Sequence, residues 1–177
     1  GQLQGSLGLW PIAKRTDPKS ITSGKLEHAA STVEKLHFQA SPRLYVTANL
    51  YLPKNLTKPA PAVLYVCGHS KQAKDGVSLG NKTGYQHHGA WFARNGYVCL
   101  VLDTLQLGEI EGIHHGTYRY GLWWWNSRGY TSAGAGAGGG IRAPEYLGPR
   151  PAGDTGRGGL KGPYSGGVPS MSVCAVG

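Results

Sequence analysis

Apolar and polar positions divide this chain into segments of different period. Residues 32–39 and 45–52 alternate apolar with polar side chains, and Ser41-Pro42-Arg43 lies between them. Period-2 alternation on both sides of a turn signal predicts a β-hairpin. Residues 62–67 and 97–102 are apolar without alternation and rich in β-branched and aromatic side chains. Such runs suit strands buried on both faces of a parallel sheet. Residues 85–95, between the two runs, have helical character. Strand, crossover helix and second strand make a βαβ unit. The first strand ends in Cys67-Gly68-His69-Ser70 and the second in Asp103. Open α/β sheets bind ligands beyond the carboxyl ends of their strands, so this edge is where chemistry is expected.

The flanking segments are less regular. Residues 1–30 read as an irregular N-terminal arm, with Leu7-Gly8-Leu9-Trp10-Pro11 as an apolar anchor, followed by one domain over 31–177. A Pro- and Lys-bearing surface connection spans 53–61. Residues 104–130 carry Glu109, Glu111, His114, His115 and the run Trp123, Trp124, Trp125. An aromatic stretch of this length predicts a lid or substrate wall, or a plug covering the sheet. Glycine supplies 29 of the 177 residues and crowds the stretch after 131. The Gly/Ala repeat over 133–140 reads as a flexible low-complexity segment. It stands where a doubly wound fold needs its next crossover helix, and Pro144 interrupts the helical pattern that follows.

Composition narrows the function classes. The formal charge is +9, but the Lys and Arg residues are scattered, with no basic run longer than two. A basic surface is therefore expected, and no nucleic-acid partner. No run is long and apolar enough for a membrane span, and no leader peptide is visible. Cys67, Cys99 and Cys174 are odd in number, and two fall in expected buried strands, so free thiols are expected. His87-His88 and His114-His115, with Asp103, Glu109 and Glu111, invite a metal reading. Adjacent helical residues point about 100° apart, and no metalloprotease spacing occurs, so no metal and no cofactor are expected.

Longer runs carry a resemblance. GLWP (8–11), VEKLHF (33–38), LYVTANLYLPKN (44–55), YVCGHS (65–70), GYQHHGAWFARNGYVCLVLDTLQLGE (84–109) and GIHHGTYRYGLWWWNSRGYTSAG (112–134) occur in this order. Together they resemble the acetyl xylan esterase-like α/β-hydrolases, a group of bacterial carbohydrate esterases. The resemblance covers about residues 7–134 closely and is skeletal from 135 onward. It implies an α/β fold with a doubly wound, mostly parallel sheet, of which this chain holds the N-terminal portion.

The same resemblance implies hydrolysis of a carboxylic ester on an acylated carbohydrate through a serine acyl-enzyme. In this fold the nucleophile sits on a strand-to-helix elbow flanked by glycines. The chain offers Gly162-Pro163-Tyr164-Ser165-Gly166-Gly167 there. An ungapped match places Tyr164 at the serine position, and one inserted residue places Ser165 there. Ser165 is the candidate nucleophile, against a plain Ser-Gly-Gly surface loop. The backbone N–H groups of His69 and Gly166 are the candidate oxyanion donors, and Trp123, Trp124 and Trp125 the candidate substrate wall. Asp103 is expected to tie down the loop that follows it. The catalytic acid and histidine are expected beyond residue 177, because they follow the serine in this fold. A hydrolase-like chain without activity, serving a structural or binding role, is the alternative. An extracytoplasmic location is expected by family analogy alone.

Overall fold

The computed structural model describes residues 2–9, 17–105, 107–110, 127, 129, 131–147, 152–163 and 170. The elements are α1 (Gln2–Ser6), β1 (Ile21–Glu27), β2 (Ser31–Ser41), β3 (Leu44–Pro53), β4 (Ala60–Val66), β5 (Ala73–Lys74) and β6 (Val77–Ser78). A 3₁₀ turn over Asn81–Tyr85 then leads into α2 (Gln86–Arg94), β7 (Val98–Leu102), α3 (Ser132–Leu147) and β8 (Gly153–Lys161).

Six strands form one mixed sheet in the order β1-β2-β3-β7-β4-β8, and β5 and β6 form a separate small hairpin. The expected hairpin is β2 and β3, antiparallel, with Leu36 opposite Ala48 and Val33 opposite Tyr51. β3 joins antiparallel to β7. β7 and β4 are parallel, with Val63 beside Cys99 and Tyr65 beside Val101. β4 is also parallel to β8. The predicted βαβ unit is therefore β4-α2-β7, at the centre of the sheet.

Side-chain alternation along the central strands explains why both apolar runs lack polar positions. Ala62, Leu64 and Val66 face one side with Val98, Leu100, Leu102, Leu36, Phe38 and Leu50. Ala143, Tyr146 and Leu147 of α3 cover that side. Val63, Tyr65, Cys67, Cys99 and Val101 face the other side, against Ala93, Phe92 and Ala90 of α2. Each strand residue thus meets a helix whichever way it points, as buried α/β sheets require. Cys67 and Cys99 are buried free thiols.

Two expectations are corrected. Residues 21–27, read as part of an irregular arm, form β1 at the sheet edge. Its side chains are almost all exposed, which is why alternation gave no signal. The Gly/Ala repeat, read as flexible, is the first half of helix α3. Close packing accounts for some of its glycines. A Cβ on Gly134 would strike the Leu7 carbonyl, and one on Gly139 would come to 3.0 Å from Val46. Burial against the sheet thus overrides low intrinsic propensity. Pro144 lies exposed in the helix's last turn.

Candidate functional site

The carboxyl ends of β4 and β7 lie side by side, and the segment between them folds back over both. Asp103, directly after β7, is the hub. Its Oδ2 accepts hydrogen bonds from Thr47 Oγ1 (2.6 Å), Lys82 Nζ (2.6 Å) and the Glu109 backbone N–H (3.2 Å). Its Oδ1 accepts from the Lys82 backbone N–H at 2.8 Å. The Lys82 ammonium also reaches Glu109 Oε1 at 2.7 Å. The Lys82 and Asp103 side chains are 2% and 3% exposed, whereas that of Glu109 is 44% exposed. A buried carboxylate is tolerable only when its charge and lone pairs are met, and here four donors meet them. Asp103 therefore ties down the following loop, as the sequence led us to expect.

Gly80 makes this approach possible. It has φ +77°, a region that side chains disfavour, and a Cβ there would lie 2.2 Å from an Asp103 carboxylate oxygen. The next residue, Asn81, is fully buried. Its Nδ2 donates to the Gly68 carbonyl and to Thr104 Oγ1, each at 2.8 Å, and its Oδ1 accepts from the Thr104 backbone N–H at 3.1 Å. Asn81 thereby stitches the loop after β4 to the loop after β7. His69 itself is exposed. The Tyr85 hydroxyl donates to its carbonyl at 3.4 Å, a long bond.

A second polar group lies below the same edge. The Tyr65 hydroxyl pairs with His88 Nδ1, and the His87 and His88 rings are 4.0 Å apart. Burial, with His87 and the Lys161 ammonium nearby, depresses the His88 pKa below its ordinary value. Burial raises the Tyr65 phenol. Tyr65 is in register with Lys161, the last residue of β8. This group therefore abuts the strand that runs into Gly162.

Of the sequence-derived site residues, His69 stands at the carboxyl edge of the sheet. Ser165, Tyr164, Gly166, Trp123, Trp124 and Trp125 lie outside the described residues, as do Glu111, His114 and His115. Among the described residues, no group of three or more His, Cys, Asp or Glu could hold a metal ion. No helix among them is long and apolar enough to cross a membrane. Sequence reasoning missed Asn81 and Lys82. One signal was available: a carboxylate closing a buried strand needs a cation, and Lys71, Lys74 and Lys82 all precede it.

No family model and no curated protein matches this chain. Solved structures do. A protein of Bacteroides fragilis NCTC 9343, provisionally assigned as an acetyl xylan esterase, superposes with TM-score 0.79 at 16% identity, covering 99% of this chain and 48% of its own. A glucuronoyl esterase from Solibacter usitatus matches with TM-score 0.70 at 18% identity, over 98% of this chain and 53% of its own. Acetyl xylan esterase 1 from Thermoanaerobacterium sp. JW/SL YS485 matches with TM-score 0.63 at 17% identity, over 90% and 49% respectively. The chain spans about half the length of these structures. At these identities the likeness establishes architecture: this chain has a fold of the α/β-hydrolase type, similar to structures of carbohydrate esterases.

Proposed function

We propose that this chain belongs to a serine hydrolase that cleaves a carboxylic ester on an acylated carbohydrate. One observation carries the reading: the chain superposes over nearly its whole length on an acetyl xylan esterase-type structure and on a glucuronoyl esterase. The sheet edge gives support, because Asp103, Asn81 and Lys82 hold the loops after β4 and β7 where such folds place their chemistry. Residues 31–177 are read as the N-terminal part of one hydrolase domain, with 104–130 as its lid-like insertion.

In this reading the Ser165 hydroxyl attacks the ester carbonyl carbon. Its proton passes to a base and on to the leaving alcohol. The N–H groups of His69 and Gly166 stabilise the oxyanion of the tetrahedral intermediate. Water then attacks the acyl-enzyme, releasing the acid and restoring the serine. The apolar C–H faces of a sugar would stack on Trp123, Trp124 and Trp125. The base and acid follow the nucleophile in the family's order.

The test is hydrolysis of 4-nitrophenyl acetate and of acetylated xylan by the full natural protein and its Ser165→Ala and Tyr164→Phe variants. Ser165→Ala should lower kcat by on the order of 10³-fold or more, and Tyr164→Phe should leave it near wild type. Unchanged turnover in Ser165→Ala, or no turnover in the wild type, overturns the reading.

A further inference from the structure

We infer that Asn81 is a positioning residue that aims the backbone N–H of His69, and the inference rests on the ester-hydrolase reading above. The argument begins with one peptide unit. The carbonyl of Gly68 and the N–H of His69 belong to the same planar amide. In a trans peptide they point in opposite directions and turn together. Asn81 Nδ2 donates to that carbonyl at 2.8 Å. Whatever fixes the Gly68 oxygen therefore fixes the direction of the His69 N–H.

Asn81 is itself held rigidly. It is 0% exposed. Its backbone N–H donates to the Leu107 carbonyl at 2.8 Å. Its side-chain oxygen and second amide proton are taken by Thr104. Lys82, the next residue, is bound through both backbone N–H and ammonium to Asp103. Gly80, the residue before, takes a left-handed conformation that brings its Cα against the Asp103 carboxylate. The amide of Asn81 thus has one orientation, set by the end of β7, and imposes it on the peptide after β4. Oxyanion donors work because they are aimed before charge develops, so a support that prevents rotation of this peptide acts on the transition state.

The test compares Asn81→Asp and Asn81→Ser with a control, Phe38→Leu, which loosens the core on the opposite face of the sheet. The aspartate keeps the shape but turns the donor into an oxygen that repels the Gly68 carbonyl. The serine is too short to reach it, and carries the test if the aspartate does not fold. Either variant should lose on the order of 10²-fold in kcat on 4-nitrophenyl acetate, with KM within about twofold of wild type. Affinity for a boronic acid that mimics the tetrahedral intermediate should fall in step. The Phe38→Leu control should lose thermal stability with little change in kcat. A folded Asn81 variant with wild-type kcat, or one whose loss lies wholly in KM, overturns the inference. The ester-hydrolase reading fails separately, if the wild type neither turns over ester nor binds the boronic acid.

Discussion

The two helices that cover the sheet are anchored by different polar groups and differ in composition. α2 packs on Val63, Tyr65, Cys67, Cys99 and Val101, and the 3₁₀ turn leading into it is pinned by a buried ion pair. α3 packs on Leu64, Val66, Val98 and Leu100 and is composed largely of glycine and alanine in its first half. Both helices press an apolar face on the sheet, but the entrance of α2 is held by a buried ion pair, and that of α3 by the Thr131 hydroxyl, which donates to the Leu7 carbonyl at 2.6 Å and accepts from the Gly134 N–H at 2.9 Å. Chemistry is expected beside the first, because a site needs side chains held to a fraction of an ångström, and the four donors on buried Asp103 fix direction more tightly than one hydroxyl at a helix entrance.

The largest expected effect attacks the polar anchor. Asp103→Ala would leave the Lys82 ammonium buried with the half-exposed Glu109 carboxylate and a long 3.4 Å bond to the Leu79 carbonyl as its partners. It would also strip Thr47 of its acceptor. Breaking a buried ion pair from one side costs about 3–5 kcal/mol. Urea denaturation should show that loss, and a midpoint close to wild type would mean the anchor does not hold the fold.

Glycine substitutions separate the helices at smaller cost. A Cβ on Gly89 of α2 would lie 2.5 Å from the Tyr51 ring, whereas nothing lies within 4 Å of one on Gly138 of α3. Gly89→Ala should therefore destabilise by about 1–3 kcal/mol through overpacking. Gly138→Ala should stabilise by about 0.5–1 kcal/mol, because alanine restricts the unfolded chain and favours helix. Thermal melts of the pair should move in opposite directions. The same direction in both would sink the packing account of α3.

A further effect, confined to alkaline pH, concerns the α2 face. Burial pushes the Cys99 thiol and the Tyr51 phenol each up to about 12, and raises the Cys67 thiol as well. Both Cys99 and Tyr51 belong to the α2 face. Their folded pKa values lie above those of the unfolded chain, so unfolding releases protons at alkaline pH. Stability should hold below the ordinary thiol value of 9.0 and fall as pH rises toward about 12. Cys99→Ala should flatten that decline, measured as denaturation midpoint against pH. An equal slope in the variant would show that Cys99 ionises as readily in the folded state as in the unfolded chain.

Legibility in the sequence followed the same division. The β4-α2-β7 unit and the β2–β3 hairpin were readable, because their apolar periods match strands buried on both faces or on one. Asp103 was readable as a structural carboxylate from its place at a strand end. β1 was not, since an exposed edge strand needs no apolar alternation. The Gly/Ala half of α3 was not, since its helicity comes from tertiary burial that no local propensity records, whereas residues 141–147 already carried a helical pattern. Asn81 and Lys82 were missed because their partners, Gly68, Asp103 and Thr104, are distant in sequence and meet only after the sheet forms.

The measurement that most directly tests the central claim is fluorophosphonate labelling of the native protein, with the adduct mapped by tandem mass spectrometry. The account predicts one adduct, on Ser165, formed more slowly in an Asn81→Asp variant. No adduct in active-fold protein, or an adduct on another residue with Ser165 unmodified, would contradict it.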